Sequence, residues 1–103
     1  MEAENTCEQI NRVGGEASVI KADLQDTDEI IRMFDFIREN GELTTLINNA
    51  AIFYRSNLAT LSVTDWDRLF DINLRAVWLC SREAAKLIGE KPTKSGLIIN
   101  MSF

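Results

Sequence analysis

Leu46-Ile47-Asn48-Asn49-Ala50-Ala51 is an apolar run that stops at two amides and two small residues. It reads as a buried strand whose carboxyl end opens onto something polar. In open parallel α/β sheets, ligands bind outside that end of the strands. Small side chains at Ala50 and Ala51 let a flat ligand lie close to the backbone, and the amides of Asn48 and Asn49 can orient it. The same two asparagines read equally well as turn formers.

Working outward, Leu43 to Asn49 forms a strand, and the segments on either side alternate with it. Upstream, Ala3, Cys7, Ile10 and Val13 mark a helix over residues 2–13, ended by Gly14-Gly15, because glycine readily adopts the left-handed conformation past a helix terminus. Residues 17–22 (Ala-Ser-Val-Ile-Lys-Ala) read as a strand that runs into Asp23-Leu24. Asp26 or Thr27 caps a second helix whose apolar face is Ile30, Ile31, Phe34 and Ile37, with Asn40-Gly41 closing it. Downstream, residues 50–61 form a loop, and Ser62 and Asp65 stand at capping-box spacing. A long helix is expected from about Asp65 to Ile88, with Leu69, Asn73, Ala76, Val77, Cys80, Ala84 and Leu87 along one buried face. A turn containing Pro92 leads to a last strand, Leu97 to Met101. Strands and helices in alternation imply an α/β fold with a parallel sheet and right-handed crossovers.

Composition narrows the function. The 103 residues make one domain at most, and 46% hydrophobic with 26% charged content is that of a globular chain. A net charge of −5 without any Lys/Arg cluster argues against a nucleic-acid surface. No apolar run approaches the roughly 20 residues that span a bilayer. Met1-Glu2-Ala3-Glu4 has neither a signal peptide's apolar core nor a transit peptide's arginines, so no membrane association and a cytoplasmic location are expected. Cys7 and Cys80 read as small buried thiols of a reducing compartment. The absence of histidine removes His-based zinc sites and Ser-His-Asp triads, and no metal site is expected.

Among residues able to carry chemistry, Asn73 stands out as an amide on the buried face of the long helix. It is either a hydrogen-bonded core amide or a group that holds a water in an active site. Asp23 either caps the turn after it or accepts from a ligand's exocyclic amine. Tyr54, beside Arg55 in the loop, reads as a packed ring, and Ser102 is the other hydroxyl of interest. Trp66, Phe70, Leu74 and Trp78 lie outside the core stripe and read as core or as a helical dimer face.

With these residues in view, the chain resembles an internal piece of a short-chain dehydrogenase/reductase. Ala22-Asp23-Leu24 is similar to the family's strand-end Asp and apolar residue, which meet the adenine ring. Asn48-Asn49-Ala50-Ala51 resembles its Asn-Asn-Ala-Gly motif beside the cofactor, with Ala51 in place of glycine. Trp66 followed by Asp71-Ile72-Asn73-Leu74 resembles the helix that supplies the catalytic-tetrad asparagine, here Asn73. Gly96 to Ser102 resembles the strand that leads to the catalytic serine.

The resemblance covers essentially all of the chain and implies a partial Rossmann-like NAD(P)-binding domain over residues 1–103. That domain is an incomplete parallel sheet, with strands near 17–22, 43–49 and 97–101. The implied cofactor is NAD or NADP, with Asp23, Leu24, Asn48, Asn49, Ala50 and Ala51 as its contacts. The implied reaction is hydride transfer to or from a small-molecule carbonyl or alcohol.

The departures are as informative. No Gly-rich GxxxGxG occurs in these residues, nor does the Tyr-x-x-x-Lys that supplies the proton donor and its lysine. Phe103 stands at the catalytic serine position, with Ser102 its neighbour. Of the tetrad, only Asn73 is in hand, so this chain alone is expected to be inactive and to lack the phosphate-binding half of the site. The alternative is a non-catalytic product or interaction module, a homo-oligomer pairing through helix 65–88. In the family's strand order two further strands separate 17–22 from 43–49, so the isolated chain is expected to be marginal and prone to association.

Overall fold

The computed structural model of this protein describes residues 2–101; the expectations for Ser102 and Phe103 lie outside that range. Helix α1 (Glu2–Arg12) has Glu2 and Glu4 in its first turn and Arg12 in its last, charges that suit the helix dipole. It stops where Gly14 adopts φ 92° and Gly15 N–H bonds the Ile10 carbonyl at 3.0 Å. A Cβ on Gly15 would come within 2.8 Å of Ile10 Cγ2, so the turn needs a glycine there.

The expected strand at residues 17–22 does not form. A strand exists only through a neighbour's N–H and C=O groups, and among the described residues the two strands that do form pair with each other. Residue 17 instead borrows a side chain: Asn11 Oδ1 accepts from Ala17 N–H at 3.0 Å. Cys7 Sγ donates to the Ala17 carbonyl at 3.1 Å, so this thiol is half-buried rather than buried. Helix α1 buries none of its residues.

Helix α2 (Thr27–Asn40) is capped by Asp26, whose extended backbone aims Oδ1 at the Asp28 and Glu29 amides, 2.9 and 3.3 Å away. Strands β1 (Thr45–Asn48) and β2 (Leu97–Asn100) are parallel, in register from Thr45 opposite Leu97 to Asn48 opposite Asn100. Both are shorter than the expected 43–49 and 97–101. Leu97 and Met101 donate to the Thr44 and Asn48 carbonyls at 2.9 and 3.0 Å. Backbone groups alternate along a strand, so those of Thr45 and Ile47 face the opposite edge, which has no partner strand among the described residues.

The long helix is interrupted. Helix α3 (Val63–Phe70), with Ser62 Oγ accepting from Asp65 N–H at 3.1 Å, passes into a π-helical segment (Asp71–Arg75) and then helix α4 (Ala76–Gly89). Ala76 N–H bonds the Asp71 carbonyl, five residues back. One extra residue in a turn rotates the helix before it by about 100° relative to the helix after it. Asn73 is therefore exposed, not on the buried face. The core lies between α2 and α4 and against β1: Ile30, Phe34, Ala76, Leu79, Cys80, Ala84 and Leu87 are buried, with Leu24, Met33, Ile37, Leu43 and Leu46 packed on them.

Candidate functional site

Three segments converge near the carboxyl end of β1. The first is the turn from Asp23 to Asp26. Asp23 Oδ1 accepts from Gln25 N–H at 2.9 Å, and Asp26 N–H returns to the Asp23 carbonyl at 3.0 Å. This is the turn that an Asp side chain sets up by mimicking a backbone carbonyl. Asp23 is exposed, while Leu24 is half-buried against the core.

The second segment is the strand end. Asn48 Nδ2 donates to Asn100 Oδ1 at 2.9 Å and to Ser81 Oγ at 3.2 Å. Its side chain thus ties β1 to β2 and α4 together. Asn49, Ala50 and Ala51 continue beyond the ladder with their residues exposed.

The third segment is the π turn. Asn73 Oδ1 accepts from Ile52 N–H, and Asn73 Nδ2 donates to the Ile52 carbonyl, each at 2.9 Å. The amide clamps both backbone groups of one residue and fixes the path of the chain just past Ala51. A π turn so often marks a functional site because it aims a residue away from the regular helical stripe.

A cleft of about 260 Å³ brings Leu24, Asn48, Asn49 and Ala50 together with Val77 and Cys80. Asp23, Ala51 and Asn73 are not among its lining residues. Burial pushes the Cys80 thiol up from its ordinary range, so this wall carries an apolar thiol and not a nucleophile at neutral pH. Tyr54 OH accepts from Arg68 Nη1 of α3 at 3.1 Å. Among the described residues no group of three or more acidic, Cys or His side chains could hold a metal ion.

Arg75, to which the sequence pattern assigned no role, joins the first and third segments. Nη1 donates to Thr27 Oγ1 and Nη2 to the Gln25 carbonyl, both at 3.0 Å. Its position two residues after Asn73 and beside the buried Ala76 was the available signal. Ser81, the partner of Asn48, carried none, since a serine in mid-helix has no distinctive pattern.

The Asp23 carboxylate leaves one oxygen able to accept a hydrogen bond, Leu24 offers an apolar edge, and Asn49-Ala50-Ala51 offers backbone beside small side chains. None of the three segments presents a glycine-rich helix N-terminus for a pyrophosphate.

A family model described as short chain dehydrogenase matches residues 1–102. The chain is 34% identical over 103 residues to an uncharacterized oxidoreductase, YgfF, of Escherichia coli, covering 97% of this chain and 42% of that protein. It is 32% identical over 90 residues to a 3-oxoacyl-[acyl-carrier-protein] reductase of Synechocystis, covering 86% and 36%. A metagenomic short-chain oxidoreductase solved in complex with NADP superposes with a TM-score of 0.88 at 31% identity, covering 96% of this chain and 45% of that one. The chain therefore spans less than half the length of each of these proteins.

Proposed function

The chain belongs to the short-chain dehydrogenase family, and on that premise we propose that it forms the adenine side and middle wall of an NAD(P) site. The family's members are oxidoreductases of Rossmann fold that use NAD(P). In this reading Asp23 and Leu24 meet the adenine, and Asn48, Asn49, Ala50 and Ala51 lie beside the cofactor. The nicotinamide, when bound, supplies or takes up the hydride that reduces a carbonyl or oxidises an alcohol. Asn73 serves the proton side of that reaction. Each polar atom of its side chain already holds a backbone group of Ile52, so its part in that reaction is to hold the chain after Ala51 in place.

The observation that carries this reading is the Asn73–Ile52 clamp directly after Asn48-Asn49-Ala50-Ala51. It joins the two segments that would need a fixed spacing around one ligand. These 103 residues alone do not complete the chemistry, because Phe103 occupies the serine position and no Tyr-x-x-x-Lys is present. Carbonyl-dependent NAD(P)H oxidation by purified 1–103 is expected to stay at background; clear turnover would overturn the claim of inactivity. No described helix is long and apolar enough to cross a membrane, which is compatible with the cytoplasmic location we propose.

One observation favours a second reading, an interaction module pairing with a second copy. Trp66, Phe70, Leu74 and Trp78 form an exposed stripe at intervals of four along α3, the π segment and α4. Trp66 and Phe70 stack at 4.5 Å between ring centroids. Aromatic side chains exposed in a row are the composition of an interface core.

A further inference from the structure

We propose that Arg75 is a positioning residue that sets the geometry of the adenine-binding turn from the helix that carries Asn73. The inference rests on the cofactor reading above. Two residues apart on a helix turn, side chains diverge by roughly 200°. Asn73 thus reaches the Ile52 loop on one side while Arg75 reaches the Asp23–Asp26 turn on the other. Its two hydrogen bonds span 48 and 50 residues of sequence. Among the described residues no other side chain from α3, the π segment or α4 bonds that turn.

The bonds act on the peptide units that orient Asp23. Gln25 N–H holds Asp23 Oδ1 at 2.9 Å, and the carbonyl of the same residue holds Arg75 Nη2 at 3.0 Å. Gln25 is pinned at both ends. The Asp26 N–H bond to the Asp23 carbonyl keeps the inner shape of the turn without Arg75, so losing the guanidinium frees the turn, with its Asp23 carboxylate, to shift as a unit against the π segment. Thr27 Oγ1 takes the other arm of the guanidinium, so the start of α2 is fixed in the same plane. Nε faces Asp71 Oδ1 at 3.7 Å, one turn back, a further charge partner for the guanidinium.

A planar fork fixes direction as well as distance. An ammonium at this position reaches either acceptor but does not set the angle between them. Arg75 thereby ties the adenine-side turn to the Asn73 side, which a hydride-transfer site must hold at constant separation.

The test is an NMR titration of the full 103-residue chain with adenosine 5′-monophosphate, together with amide exchange. In the wild type, the ligand is expected to shift the Asp23 and Leu24 amides. Arg75→Met is expected to weaken its binding by about five- to tenfold. The same change should speed exchange at Gln25 and Asp26 and leave Leu79 and Ala84 at wild-type rates. Arg75→Lys should recover part of the loss, and Thr27→Val, which removes a single acceptor, should show a smaller loss than Arg75→Met.

Unchanged affinity in Arg75→Met would overturn the proposal, as would exchange that accelerates equally at Gln25 and Leu79. A wild type whose Asp23 and Leu24 amides ignore the nucleotide sinks the cofactor reading itself. That result is visible before any variant is made, and the positioning role falls with it.

Discussion

Trp78 and Leu79 are adjacent in sequence and opposite in environment: Trp78 is 57% exposed and Leu79 1%. The inner face of α4 is Ala76, Leu79, Cys80, Ala84 and Leu87, mostly small residues that let α2 approach closely. The outer face, continued back through Leu74, Phe70 and Trp66, carries the larger rings. Hydrophobicity alone would bury the outer face first. What decides is the neighbour: α2 and β1 supply surface for the inner face, and no described element covers the outer one. Arg82 stacks over the Trp78 ring at 4.8 Å and shields part of it, a cation–π contact of modest strength in water.

The sharpest way to break this contrast is to truncate one leucine on each face. Leu79→Ala is expected to cost about 2–5 kcal/mol, because a fully packed site relaxes only in part. Leu74→Ala should stay within about 0.5 kcal/mol, as exposed substitutions do. Urea titrations of both proteins measure the difference; equal losses would show that the outer face is packed too.

The next test asks whether the outer face meets a second copy. If it does, sedimentation velocity should show a concentration-dependent dimer, and Trp78→Glu should raise its dissociation constant at least about tenfold. A wild type that remains monomeric throughout removes the interaction reading.

The smallest effect lies at the seam between the faces. Hydrogen bonding from Lys86 foremost, with Arg82 also contributing, holds the Glu83 carboxyl below its ordinary range. A carboxyl depressed in the folded state adds stability that is full at neutral pH. That stability falls away as the pH drops from about 4.3, the unfolded value, through the lower folded one. Glu83→Gln should abolish that part of the acid slope, about 0.3–0.5 kcal/mol for such surface pairs. Melting curves at pH 3 and pH 7 check it; an unchanged slope would mean that Lys86 and Arg82 contribute nothing.

Much of this was readable from residues. Asp26 and Ser62 cap their helices through side-chain oxygens, and both lie at positions where a capping group is expected. The β1 and β2 segments and the helices around them follow from apolar runs and their punctuation. The π turn was not readable: one inserted residue changes no composition, yet it moves Asn73 from the expected buried face into contact with Ile52. Residues 17–22 have a strand's composition but lack a ladder partner among the described residues, and composition does not supply one. Nothing local marked Arg75, because its partners lie 48 and 50 residues away.

From the residues alone came the family, the helices with their capping positions and the two segments that pair as strands. These rest on local chemistry: apolar periodicity, capping oxygens, and small residues after a strand. Only the tertiary structure decided how those segments are held against one another. The Asn73–Ile52 clamp and the Arg75 fork join residues far apart in sequence, and hydrogen bonds of that kind depend on where the chain brings a donor and an acceptor to within about 3 Å.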